Sequence, residues 1–259
     1  MELYYVWLEC IKGFGPVAWH DFLWEYGDPE MIYRNRHELL PKGRISGSQI
    51  EILKERADDA FENAAVILKK CQHYGIRILT YNDPEYAENI KKYKDFPIVF
   101  YTKGHLRDNW THGCGIVGAR RCSLEGKKYA IDVASQEVAR GRGLISGMAK
   151  GIDSYAHTAA LKQSGYTVAV LAYGIDQCYP VEHKALMCKI ENEGLLLSEY
   201  PPETVPYRHS FPRRNRIIAG LSDVLYVIDA GKNSGTKTTV EAAERYGKQI
   251  VEASFYKDV

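Results

Sequence analysis

The sequence predicts an α/β protein in which a doubly wound, mostly parallel sheet follows a small helical domain. Two observations predict this class. Up to about residue 75, apolar residues recur with the three- to four-residue spacing of amphipathic helices. From residue 114 onward, short β-branched runs alternate with helical segments, a pattern of parallel strands with helices on both faces. Because 259 residues accommodate one large and one small domain, we expect domains at residues 1–75 and 76–259.

The N-terminal domain is predicted to contain a helical hairpin and one long helix. Helices at 4–10 and 17–26 flank the turn Gly13-Phe14-Gly15, where two glycines permit a tight reversal. Such a turn can hold a phosphate on its N–H groups, but a plain helical connection is the simpler interpretation of a single copy. A capping box at Ser48–Glu51 is expected to open the long helix, and Gly75 to end it. Two short apolar runs near the domain boundary, at 76–80 and 98–101, are predicted strands.

The second domain is predicted to alternate strands and helices to its end. The strands are expected at 116–118, 143–146, 167–172, 195–198, 224–228 and 250–252. The helices are expected at 123–140, 152–163, 183–192, 215–221 and 238–246. Ligands of such sheets bind outside the carboxyl ends of the strands, so the residues that follow each strand are the candidate site.

A cluster of arginines lies just upstream of the strand predicted at 224–228. Residues 208–216 contain Asn215 and the arginines Arg208, Arg213, Arg214 and Arg216. Arginine presents planar donors that match phosphate oxygens and stack on bases, so the cluster suits a nucleic-acid backbone. The alternative explanation is a solvated loop whose arginines pair with carboxylates and in which Asn215 caps the following helix.

Two other strand-to-helix turns carry donors and cations. The turn after the strand at 116–118 contains Arg120 and Arg121. The turn after the strand at 143–146 contains Ser146, Gly147 and Lys150, although close packing of helix on strand also explains its glycines. Parallel strands bring these turns to one edge of the sheet, so the sequence predicts a rim of cations and free amides there.

Two glycine-rich strings resemble nucleotide-binding motifs without meeting their structural requirements. In the turn at 231–238, Thr236 stands where the second glycine of a P-loop belongs. Its small residues Ser234, Gly235 and Thr236 therefore predict phosphate contact rather than nucleotide hydrolysis. The string Gly113–Gly118 places its first two glycines before or within a strand instead of after it, so we expect no nicotinamide cofactor.

Composition narrows the class of protein further. The 34 basic and 33 acidic residues give a net charge of +1, which argues against attraction of DNA by the whole surface but allows a local basic pocket. The six cysteines show no metal-ligand spacing, so no metal or cofactor is expected. No apolar run reaches about 18 residues and no signal peptide is apparent, so we expect a cytoplasmic protein without a membrane partner.

Six motifs together resemble one known family. The chain contains, in order, GARRCS, SGMAKGIDSYAH, YGIDQCYP, LLSEYPP, FPRRNRIIAGLS and SGT. This series resembles the DprA/Smf family of DNA-processing proteins. The resemblance implies an extended Rossmann-like domain preceded by a helix-hairpin-helix or SAM-like domain. It also implies a homodimer that binds single-stranded DNA and loads the RecA recombinase onto it during natural transformation.

The resemblance also implies roles for individual residues. Arg120 matches the family's central DNA-binding cation, and Arg208 matches a second one. A third position, often lysine in the family, is Val181 here, and Lys184 lies one helical turn further on as a candidate substitute. The winged-helix domain that some members carry at the C-terminus is expected to be absent.

We therefore expect a non-catalytic protein that binds single-stranded DNA. The candidate contact residues are Arg120, Arg121, Ser146, Gly147, Lys150, Lys184, Arg208, Arg213, Arg214, Asn215, Arg216, Ser234, Gly235 and Thr236. An alternative from another class is a nucleotide-processing enzyme similar to phosphoribohydrolases, which would use Asp153, Asp176 or Glu199 near the sugar. A third hypothesis is a protein-interaction module whose DNA binding has been lost through Val181.

Overall fold

The structure, a computed structural model, describes residues 1–108, 110–231 and 235–255. The chain divides into two compact units, residues 1–101 and residues 102–259. Within the described residues, no helix has the length and apolar character needed to cross a membrane.

The first unit is mainly helical. Its elements are α1 (Glu2–Cys10), α2 (Pro16–Tyr26), α3 (Pro29–Arg34), α4 (Gly47–Tyr74), β1 (Arg77–Thr80) and α5 (Glu88–Lys91). A capping box opens α4, but its N-cap is Ser46, so the prediction of Ser48 was wrong. Gln49 Oε1 accepts from Ser46 N–H over 2.9 Å, and Gln49 N–H donates back to Ser46 Oγ over 3.3 Å. Gly75, at φ 63°, ends α4 as predicted.

The division between the two compact units lies after Tyr101, and the domain boundary that the sequence predicted at residue 75 stays a prediction. Part of the segment 76–101 contacts the N-terminal helices. β1 packs against α1, and His20 of α2 lies with its Nε2 3.0 Å from the Phe96 carbonyl oxygen. The Tyr86 hydroxyl donates to the Pro97 carbonyl over 2.6 Å, which holds the segment between the two predicted strands.

The second unit contains the parallel sheet. After β2 (Val99–Gly104), which crosses the division between the units, the strands are β3 (Gly113–Gly118), β4 (Gly143–Ser146), β5 (Thr167–Leu171), β6 (Leu195–Ser198), β7 (Val224–Ile228) and β8 (Gln249–Ala253). The order is β6-β5-β4-β3-β7-β8, and the registered pairs are all parallel. The predicted doubly wound α/β class is confirmed.

Helices cover both faces of this sheet. They are α6 (Leu124–Ala139), α7 (Ile152–Lys162), α8 (Lys184–Glu193), α9 (Ser210–Leu221) and α10 (Lys237–Arg245). The chain winds from β3 to β6 in one direction through α6, α7 and α8, and then returns to β7 and β8 through α9 and α10. Right-handed crossovers in opposite directions place these two sets of helices on opposite faces. The direction reverses between β3 and β7, which is where sheets of this kind bind ligands.

The start of α9 differs from the prediction. The sequence predicted a helix at 215–221, but α9 begins at Ser210. The Ser210 N–H and hydroxyl both donate to the Tyr207 carbonyl, over 3.1 and 2.8 Å, and these bonds turn the chain into the helix early. Most of the arginine cluster therefore lies on a helix rather than in a loop. Helical periodicity then decides which way each arginine points.

Candidate functional site

A cleft of about 750 Å³ opens where the chain direction reverses between β3 and β7. Its walls come from the turn after β3, the segment before α9, α9 itself and the start of α10. The predicted site residues that line it are Arg120, Arg208, Arg214, Asn215, Gly235 and Thr236. The turn after β3, the arginine segment and the start of α10 therefore converge on one concave surface.

Close backbone packing sets the position of Arg120. A Cβ atom on Gly118 would lie 2.1 Å from the Ile228 carbonyl oxygen, so only glycine lets β3 and β7 approach this closely. Gly151, at φ 79°, brings the start of α7 against the same turn, where Ile152 N–H donates to the Ala119 carbonyl over 3.2 Å. The exposed Arg120 side chain projects from this rigid turn into the cleft.

Arg214 forms the floor of the cleft. It is only 4% exposed, and its Nη1 donates to the carbonyl oxygens of Val170 and Gly147, the latter over 2.8 Å. Gly147 N–H donates to Asp153 Oδ2 over 3.1 Å, which ties the carboxylate to the same turn. Burial lowers the pKa of Arg214, and the nearby Asp153 carboxylate opposes that shift. Burial raises the pKa of Asp153, and the Arg214 charge opposes it in turn.

Two of the clustered arginines pair with a carboxylate. Glu199, directly after β6, accepts from Arg216 Nη1 and Nη2 over 2.9 and 2.8 Å and from Arg213 Nε over 3.1 Å. Glu199 and Arg216 are 7% and 9% exposed, whereas Arg213 is exposed. For Arg213 and Arg216, this geometry agrees with the alternative explanation from the sequence, in which arginines of residues 208–216 pair with carboxylates. Arg216 does not line the cleft, and its pair with Glu199 holds α9 in place.

Asn215 joins α9 to the start of α10. Its Nδ2 donates to the Gly235 carbonyl over 3.0 Å and to Thr238 Oγ1 over 2.9 Å, and its Oδ1 accepts from Arg214 Nε over 3.1 Å. Asn215 lies inside α9 and does not cap it, because the helix begins five residues earlier than expected. Thr236 is the N-cap residue of α10, and Ser234 lies outside the described residues.

The remaining predicted residues lie around the cleft rather than along it. Ser146 is fully buried and donates to the Ile116 carbonyl over 2.6 Å, which joins β4 to β3. Lys150 forms an exposed ion pair with Glu182. Arg121 is exposed next to Arg120, and Lys184 is exposed at the first residue of α8.

Sequence reasoning did not single out the aromatic lining of the cleft. Tyr179, Tyr207 and Phe211 lie along its wall, and the Arg120 Cζ atom is 5.9 Å from the centroid of the Phe211 ring. The available signal was their position in the chain, since Tyr207 directly precedes Arg208 and Phe211 follows it by three residues.

The carboxylates of the enzyme hypothesis have structural partners. Asp176 Oδ1 accepts from Glu203 N–H over 2.8 Å, and Glu199 holds the two arginines described above. Asp153 lines the cleft but is buried and accepts the Gly147 and Ala149 N–H groups over 3.1 and 3.3 Å. All three therefore have partners that explain their positions.

A buried histidine lies behind the site. His157 in α7 is fully buried, and its Nδ1 is 2.7 Å from Thr167 Oγ1. The Thr167 hydroxyl donates its proton to the Leu144 carbonyl, so His157 Nδ1 must be the donor and Nε2 is deprotonated. That Nε2 has no hydrogen-bond partner among the described residues. Burial, together with the charges of His183 and Arg214, lowers the pKa of His157 to about 3.

This histidine is expected to make stability depend on pH. Below about pH 6.5 the unfolded chain binds a proton at His157 that the folded protein excludes, so the free energy of unfolding falls as the pH drops toward 3. Between about pH 7.5 and about pH 5 the loss from this residue is about 2 kcal/mol. In urea titrations, the free energy of unfolding of His157→Phe should therefore fall by about 2 kcal/mol less than that of the parent between these two pH values. The matched control is His209→Phe, which removes an exposed histidine in the same way. A His157→Phe protein that loses as much stability as the parent over this interval would contradict the prediction.

Comparisons with known proteins bear on this site. A sequence model of the family described as DNA recombination-mediator protein A matches residues 77–255. The chain is 32% identical over 254 residues to protein Smf of Synechocystis, which covers 96% of this chain and 63% of the relative. It is 38% identical over 168 residues to DNA processing protein DprA of Streptococcus pneumoniae, which covers 65% of this chain and 59% of the relative. The chain thus spans less than two thirds of the length of these two relatives.

Two solved structures of DNA processing protein A resemble this chain in fold. The X-ray structure of DNA processing protein A from Streptococcus pneumoniae is 29% identical, with a TM-score of 0.76 over 97% of this chain and 86% of that one. A structure of DNA processing protein A from Helicobacter pylori, described as having a unique single-stranded DNA binding mode, is 28% identical. Its TM-score is 0.62 over 68% of this chain and 80% of that one.

Proposed function

The chain belongs to the DNA recombination-mediator protein A family, and from that premise we propose that it binds single-stranded DNA in the cleft between β3 and β7. The observation that carries this proposal is the convergence of Arg120 and Arg208 on one cleft where the chain direction reverses. Exposed arginines at a concave site neutralise phosphates without reading sequence. The Helicobacter pylori relative, described as binding single-stranded DNA, supports the same substrate.

The proposal divides the predicted residues into two groups. Arg120, Arg208, Asn215, Gly235 and Thr236 line the cleft and are proposed to lie against the DNA. A second group is proposed to hold the turns in place from below or beside the cleft, and it comprises Ser146, Gly147, Arg213, Arg214 and Arg216. Arg121, Lys150 and Lys184 are proposed to contribute charge near the rim.

Arg120→Ala is expected to weaken binding to oligo-dT about tenfold, because a charge-assisted phosphate contact is lost from a rigid turn. The slope of log affinity against log salt concentration should also become shallower by about 0.7, because each phosphate contact on a single strand contributes about that much to the slope. Fluorescence anisotropy over a salt series measures both quantities.

The matched control is Arg245→Ala, which removes an exposed arginine at the far end of α10 outside the cleft lining. It should leave the affinity and the salt slope unchanged. An Arg120→Ala protein that binds as tightly as the parent at every salt concentration would remove Arg120 from the site.

We further propose that the protein cleaves no bond in the DNA it binds. We propose that it is a recombination mediator, which acts as a homodimer and loads RecA onto the DNA. Family membership supports this role. Light scattering tests the dimer, and a RecA strand-exchange assay on DNA covered by single-strand-binding protein tests loading.

Release of base or phosphate from a panel of mononucleotides would favour the phosphoribohydrolase-like alternative instead. Absence of any anisotropy change with single-stranded DNA would favour the protein-interaction module.

A further inference from the structure

Aromatic side chains are exposed inside the cleft beside the arginines. Tyr179 and Tyr207 are 44% and 45% exposed, and Phe211 is half-buried. Large rings that remain in water forgo the free energy that burial of such rings supplies. Their collection along one concave wall, next to Arg120 and Arg208, indicates a contact surface for a ligand that is both flat and anionic.

A buried tyrosine holds Tyr179 in position. The Tyr173 hydroxyl donates to the Tyr179 carbonyl over 2.6 Å and accepts from the Tyr179 N–H over 3.2 Å. The two rings meet edge to face with centroids 6.4 Å apart, and the Tyr179 ring also packs on Phe211 at 5.6 Å. Tyr179 therefore presents its ring in a pre-set orientation, and little conformational entropy is lost when a ligand covers it.

Tyr207 is held in a similar way. Its ring lies edge to face with that of Tyr200, with centroids 6.3 Å apart and an interplanar angle of 82°. Tyr200 is 7% exposed, so it provides a packed support behind the ring. The two hydrogen bonds from Ser210 to the Tyr207 carbonyl fix the backbone at the first turn of α9. Both exposed tyrosines are thus backed by a buried one.

The two kinds of lining residue match the two parts of a nucleotide. Arginines at the cleft satisfy phosphate oxygens, whereas aromatic rings offer faces on which bases stack. In a duplex, neighbouring base pairs already cover both faces of each base, so only an unpaired base can use such a ring. Stacking tolerates any sequence because every base has a π-face.

We propose that Tyr179 and Tyr207 form a base-stacking subsite for unpaired nucleobases, while Arg120 and Arg208 hold the phosphates of the same strand. This inference rests on the proposed function and deepens it, since it assigns selection of single over double strands to two tyrosine rings. The arginines alone would bind either form, because both carry the same phosphates.

Tyr179→Ala and Tyr207→Ala should each weaken binding to oligo-dT about 5- to 150-fold, the range that one lost base-stacking ring produces. Tyr179→Phe and Tyr207→Phe should bind like the parent, because the ring face remains. An oligonucleotide of equal length built from abasic tetrahydrofuran residues separates base from phosphate contacts. On that probe the two alanine variants should bind no more weakly than the parent.

The control variant is Trp24→Ala, which removes an aromatic residue that is 78% exposed in the other unit. It should leave both affinities unchanged, and thermal melts establish that each variant is folded. As a measurement on the unaltered protein, 2-aminopurine placed in oligo-dT should lose fluorescence on binding when its base stacks on a ring.

The outcomes separate the subsite from the proposed function. If both alanine variants bind oligo-dT as tightly as the parent while Arg120→Ala binds weakly, the stacking subsite is wrong and DNA binding in the cleft stands. If the alanine variants do not fold, an unquenched 2-aminopurine probe on the parent overturns the subsite, and a quenched one supports it. A parent that binds neither oligo-dT nor the abasic probe overturns both proposals.

Discussion

Glu199→Ala is expected to lower the free energy of unfolding by about 3–5 kcal/mol, the cost of leaving one partner of a buried ion pair without the other. Glu199 accepts hydrogen bonds from both terminal guanidinium nitrogens of Arg216. Glu199 is 7% exposed and Arg216 is 9% exposed. Without the carboxylate, the Arg216 charge stays in a place where little water can reach it. Denaturant titration measures the loss, which corresponds to a fall in Tm of about 10 °C for a unit of this size.

The control for this variant is Glu241→Ala, which removes an exposed i,i+4 partner of Lys237 at 3.8 Å. That change should cost no more than about 0.5 kcal/mol, because surface pairs on helices contribute little. Combining Glu199→Leu with Arg216→Met should recover most of the stability, since replacing both members of a buried pair by apolar residues is often neutral. A Glu199→Ala protein as stable as the parent would show that the pair does not brace α9.

Arg214→Leu is expected to destabilise the protein by a similar amount, about 3–5 kcal/mol. The guanidinium is 4% exposed and donates to the carbonyl oxygens of Gly147 and Val170, which would lose their partner. The change would also remove the charge that opposes burial of the Asp153 carboxylate, so the pKa of Asp153 should rise further. The loss of stability in the variant, compared with the parent, should consequently be larger at neutral pH than at acid pH.

Two companion variants test the Arg214 geometry. Gly147→Ala places a Cβ atom 2.6 Å from Arg214 Nη2, so it should displace the guanidinium and destabilise the protein while the charge remains. In a double-mutant cycle, Arg214→Leu and Asp153→Asn should show a coupling energy of at least about 1 kcal/mol. Additive losses would mean that the two side chains do not act together.

Local patterns in the chain were sufficient for the secondary structure of the sheet. The strands predicted at 143–146, 195–198 and 224–228 coincide with β4, β6 and β7. Short apolar runs separated by helical segments specify buried parallel strands because neither face of such a strand meets water. The same topology brings the turns after the strands to one edge, which is why the sequence predicted a rim of cations and free amides there.

The direction of each arginine side chain depended on contacts between residues far apart in the chain. Arg214 turns inward because Gly147 and Val170, 67 and 44 residues away, present carbonyl oxygens to it. Arg216 turns toward Glu199, 17 residues away, because α9 starts at Ser210 and sets its helical phase. No local pattern encodes which side of a helix meets a buried acceptor, since that side is chosen when sheet and helix pack.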